Sequence, residues 1–121
     1  MNMNITNKTK EITTKDKVWI ALNLMPRRLV EAFAMDCASR ATSYSPSYAV
    51  FASSAALSTQ TRKSKELACM AAYYVATSTA DAALASLSKS SYVDMTNAVA
   101  NEYELQLKSI AKLIKGNKGS K

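Results

Sequence analysis

The chain has 121 residues, 48% of them apolar and 21% charged, which is enough for one folded core and too little for two. It contains no histidine, and this excludes a Ser-His-Asp triad, a Cys-His pair and any His-ligated metal. Sixteen Lys and Arg against nine Asp and Glu leave a net charge of +7. The excess is spread out, with +2 over residues 1–17, +1 over 18–60, +2 over 61–66, −1 over 67–88 and +3 over 89–121. A surplus of this kind favours solubility and acidic partners without specifying one.

Twenty alanines stand against two glycines and two prolines, and residues 47–115 contain neither breaker. Such a stretch is helical by propensity, and no segment alternates as a strand would. Residues 1–12 are polar and unpatterned and read as a flexible arm. Thr13 with Asp16 has capping-box spacing and opens a first helix through Leu24. Its apolar stripe is Val18, Ala21, Leu22 and Met25, broadened by Trp19 and Ile20.

Pro26 suits the first turn of a second helix, which runs to about Thr42. Leu29, Val30, Phe33, Cys37 and Ala41 share one face, with Arg27–Glu31 and Asp36–Arg40 spaced i,i+4 on the surface. Ser45-Pro46 starts a third helix, expected to carry Tyr48, Phe51, Ala52 and Ala55 inward and to fade at Ser58.

Ser64 caps a fourth helix, with Glu66 in its first turn. Ala68, Ala72, Ala76 and Ala80 form a row of small residues that lets a neighbouring helix approach closely. Tyr73, Tyr74 and Val75 fill its other directions, so this helix is expected at the centre. After a polar break at 88–91, Ser91 and Asp94 repeat the capping-box spacing. The last helix then shows a seam of alternating three- and four-residue steps: Val93, Thr96, Ala100, Tyr103, Leu107, Ile110 and Ile114. Gly116 is the expected stop, and residues 116–121 the basic tail. The fold expected is all-α, a single-domain antiparallel bundle of about five helices over residues 13–115.

Cys37 and Cys69 are isolated in alanine-rich helices and read as buried structural thiols rather than metal ligands. Glu102 and Glu104 point in different directions around their helix, so they make no catalytic pair. Asp81 is expected to face solvent, since an unpaired charge is costly inside a core. Two groups are candidate binding residues. Tyr44 and Tyr48 flank the Ser45-Pro46 corner near Arg40 and offer a contact patch, although helix-corner packing is the commoner use of such residues. Arg62, Lys63 and Lys65 lie at a helix start, where free N–H groups can also meet phosphates.

The run from Arg28 to Ala41, RLVEAFAMDCASRA, resembles the opening helix of the alanine-rich immunity proteins of bacteria and phages. Asn101 to Leu107, followed by Ile110 and Leu113-Ile114, is similar to the last helix of that family. The likeness spans roughly residues 27–115 and implies a small helical inhibitor that binds a target protein, either a toxin or a host defence component. No contact residue carries over. The expectation is therefore a non-enzymatic protein without a cofactor or metal, masking an acidic or mixed-charge partner. A small nucleic-acid or nucleotide binder is the alternative, and a homo-oligomer paired through the last helix a further one. The longest apolar run, Leu67 to Ala76, is ten residues against the roughly twenty that span a bilayer, which favours a cytoplasmic protein with no membrane partner.

Overall fold

A computed structural model describes residues 12–87 and 92–119, all organised around five helices. They are α1 (Thr14–Leu24), α2 (Arg27–Tyr44), α3 (Pro46–Ser58), α4 (Lys65–Ala85) and α5 (Tyr92–Gly119). The arm at 1–11, the break at 88–91 and the Ser91 cap fall outside the described residues. No helix among the described residues is long and apolar enough to cross a membrane.

Local chemistry sets the starts of two helices. The Thr13 hydroxyl accepts from the Asp16 amide at 3.1 Å, and the Ser64 hydroxyl from the Leu67 amide at 3.1 Å. The α1–α2 and α2–α3 joints use proline differently. Pro26 is the extended N-cap of α2 rather than a residue of its first turn, whereas Pro46 occupies the first turn of α3. Ser45 precedes it in extended geometry, with no bond from its hydroxyl to the cap. α2 continues to Tyr44, two residues past the expected end, because no breaker intervenes before that joint.

The α4 helix packs against all four others, as its all-round apolar surface requires. Contacts between named residues give the helix directions. Asp36 meets Ser109 and Arg40 meets Glu102, so α2 and α5 run oppositely. Leu22 meets Cys69 and Asn23 meets Lys65, so α1 opposes α4. The core joins Val18, Leu22 and Met25 to Leu29, Val30, Phe33, Cys37 and Ala41, then to the alanines of α3 and α4. Ala68, Ala72, Ala76 and Ala80 are all buried, as their row predicts. Both cysteines are free and buried.

Three expectations are corrected. In α3 the inward stripe is Ala49, Ala52 and Ala56, while Tyr48 and Phe51 are exposed. Lying against both α2 and α4, α3 turns its small residues to its neighbours and its bulky ones outward. In α5 the inward face is rotated from the apolar seam. Val93, Thr96 and Ala100 face solvent, and Glu102, Tyr103, Gln106 and Ile110 are buried. Finally, α5 passes through Gly116, which has an ordinary negative φ and no neighbour within 4 Å of a Cβ built there. Glycine permits a left-handed stop without imposing one.

Candidate functional site

Two features stand out: a buried polar cluster between α2 and α5, and an exposed apolar surface along α4. The cluster centres on Glu102, which is 0% exposed, as is Gln106 one turn later. The Arg40 guanidinium grips the carboxylate with both prongs, Nε to Oε1 and Nη2 to Oε2, each at 2.8 Å. The Tyr44 hydroxyl donates to Oε1 and the Gln106 amide to Oε2, both at 2.8 Å. Gln106 Nε2 also donates to the Ala76 carbonyl at 3.0 Å. Both partners of that amide nitrogen are acceptors, so the amide orientation is fixed, and Oε1 is left without a hydrogen-bond partner. Asp36 extends the cluster outward, accepting from Arg40 at 3.4 Å and from Ser109 at 2.8 Å.

The electrostatics follow from this packing. The hydrogen bonds that Arg40 donates to Glu102 hold the guanidinium firmly in its charged form. Burial, and then the bond to Glu102, pushes the Tyr44 hydroxyl up to about 12. Burial also raises Cys37, against the opposing pull of Arg40, and raises Tyr103 and Cys69. The Glu102 carboxylate is saturated by a guanidinium, a phenol and an amide. Its chemistry here is to bind helices together.

The expected Arg40–Tyr44–Tyr48 contact patch is therefore divided. Arg40 and Tyr44 turn toward Glu102, and only Tyr48 belongs to the exposed surface. Arg62, Lys63 and Lys65 are exposed at the start of α4, but parts of this segment are already engaged. The Lys65 ammonium donates to the Asn23 carbonyl at 3.0 Å, and Arg27 donates to the backbone carbonyl of Arg62. Asp81 faces solvent. Among the described residues no group of acids and cysteines has the makings of a metal site.

No sequence pattern marks the apolar surface. Phe51 and Met70 are each 55% exposed and, with Leu67, Tyr74 and Arg62, line an open groove of about 500 Å³ between α3 and α4. Phe51, assigned inward from sequence, is the residue whose outward turn creates it. On the other side of Met70 and Tyr74, a second recess of about 410 Å³ lies between α1 and α4, lined by Asp16, Trp19, Tyr73 and Thr77.

Compared with family models, with curated proteins and with solved structures, the chain matches none.

Proposed function

We propose that the chain is a non-enzymatic, protein-binding helical bundle that masks part of a partner's surface, acting as an inhibitor of the immunity or anti-defence kind. The observation that carries this reading is the α3–α4 groove. Large apolar side chains gathered on one exposed face mark an interaction surface more often than a neutral one. Aromatic residues and Arg, here Phe51, Tyr74 and Arg62, are also the residue types that anchor interfaces. The occupant is an apolar side chain of a partner protein whose surrounding surface carries acids, complementary to Arg62 and Lys63 and to the net +7. The resemblance to immunity proteins supports the same class, with a toxin or host defence component as target.

The alternative, nucleic-acid binding through Arg62, Lys63 and Lys65, is weakened by the contact that ties the Lys65 ammonium to Asn23. Two variants separate these readings. Phe51→Glu places a charge in the groove, and the triple change of Arg62, Lys63 and Lys65 to Ala removes the basic cluster. All four positions are exposed, so melting temperature should stay near that of the parent chain. Protein capture from the natural host should be abolished by Phe51→Glu. The triple variant should retain the partner, with slower association and little change in dissociation. Capture indifferent to Phe51→Glu would overturn the groove reading. So would DNA or RNA binding at low salt that disappears, with activity, in the triple variant. A dimer by light scattering that becomes monomeric with Phe51→Glu would assign the groove to a second copy instead.

A further inference from the structure

The recess between α1 and α4 is built differently from the groove beside it. Asp16 and Trp19 stand three residues apart on α1, while Met70, Tyr73, Tyr74 and Thr77 form a single i, i+3, i+4, i+7 stripe on α4. Trp19 and Tyr73 meet edge to face, with ring centroids 5.1 Å apart and planes at 62°, so that they make two walls of a corner. Tyr74 adds a third ring. Three of the nine aromatic residues in the chain thus line one recess.

Its charge runs against that of the molecule. In a chain of net charge +7, the only acidic or basic side chain lining this recess, among the described residues, is Asp16. That carboxylate makes no ion pair among the described residues. It lies close enough to Tyr73 to reinforce the effect of burial in keeping the phenol protonated. Aromatic faces present negative potential, and with a carboxylate beside them they attract organic cations.

We propose that this corner is a binding site for a guanidinium group, the side chain of an arginine presented by a partner protein. Arginine fits better than a compact ammonium because its planar, weakly hydrated head stacks on aromatic faces while its N–H fork reaches a carboxylate. The recess is open, and it shares Met70 and Tyr74 with the α3–α4 groove. A protein segment can therefore place an apolar side chain in the groove and an arginine in the corner. The source of the arginine rests on the protein-binding reading above; the cation site itself does not.

The single Trp is the reporter. The isolated 121-residue chain is titrated with N-acetylarginine amide, with its neutral isostere N-acetylcitrulline amide, and with tetramethylammonium, following the Trp19 indole N–H by NMR. The arginine probe should give a saturable shift, with the citrulline probe about three- to fivefold weaker, the ratio expected of a cation–π contact at an exposed site. Asp16→Asn keeps the backbone amide that Thr13 caps, and should weaken the arginine probe while leaving the citrulline probe unchanged. Tyr74→Ser, at an exposed position, should weaken the arginine probe as well. Equal affinity for arginine and citrulline, no saturable shift, or indifference to Asp16→Asn would each overturn the cation site. Tetramethylammonium binding more tightly than the arginine probe would transfer the site to a free quaternary ammonium ligand and overturn the arginine assignment. None of these outcomes depends on the partner, so failure here is distinct from failure of the Phe51→Glu capture experiment.

Discussion

α5 and α3 are both packed on the centre of the bundle, yet they are held by different kinds of force. α3 meets α2 and α4 through Ala49, Ala52 and Ala56, buried side chains with no polar atom. Such contact is non-directional, and close approach supplies most of its energy through dispersion and burial. α5 is held through Tyr103 and Ile110, but also through Glu102 and Gln106, whose bonds reach Arg40 and Tyr44 of α2 and the Ala76 carbonyl of α4. Those bonds have fixed lengths and directions. They position α5 along its axis, which a smooth alanine surface does poorly. The alanine side supplies closeness, and the polar side supplies register.

The largest break in this comparison should come from Arg40→Met. It strands the fully buried Glu102 carboxylate with only Tyr44 and Gln106 as partners. Removing one member of a buried ion pair typically costs about 3–5 kcal/mol, read here as a lower urea midpoint. Adding Glu102→Leu to that variant should restore most of the loss, because an apolar pair of similar volume is often as stable as the ion pair. A single variant within about 0.5 kcal/mol of the parent, the range of ordinary surface substitutions, would mean that the cluster is solvated and does not set register.

The next largest effect lies where the two regions meet. Ala76 is fully buried in the small-residue row, and its carbonyl takes the Gln106 amide. Ala76→Leu should overpack that contact and cost about 1–3 kcal/mol. Thermal unfolding of the variant measures it. An unchanged melting temperature would mean that the α4 contact is loose enough to admit three more carbon atoms.

The difference between the two regions also explains what could be read in advance. Helix starts at Thr13, Ser45-Pro46 and Ser64 are local, and each is visible in a few residues. The alanine row on α4 is legible because four small residues at i,i+4 have no other obvious use. The α3 face is not legible locally, because the aromatic size of Tyr48 and Phe51 points to burial while their neighbours leave no room. Space beside an alanine-packed neighbour is what decided it, and Tyr48 and Phe51 were turned out. The α5 face departs from the apolar seam because Glu102 and Gln106 are buried beside it. Their i,i+4 spacing, next to Tyr103 and Ile110, was the available signal. A buried glutamate also needs a long-range cation, and nothing in the local sequence pairs position 102 with Arg40, 62 residues away. The Trp19–Tyr73 corner was hidden for the same reason, since its walls come from two helices.

The smallest expected effect is a pH dependence that sharpens the account of the polar side. Tyr44 sits near 10 in an unfolded chain and is pushed up to about 12 when folded, first by burial and then by its bond to Glu102. The folded state thus holds this proton more tightly. Its contribution is fully present below pH 10 and is lost progressively as pH rises toward 12, where the unfolded chain ionises first. Cys37, raised from 9 by burial, adds a loss of the same sign beginning one unit lower. Urea midpoints for the parent chain should be level near neutrality and decline above pH 9. Tyr44→Phe has no proton to lose at this position, so its midpoint should fall less steeply than that of the parent between pH 10 and 12. Parallel curves would show that the phenol is equally free to ionise in both states, and that α5 is held at this end by Arg40 and Glu102 without help from Tyr44.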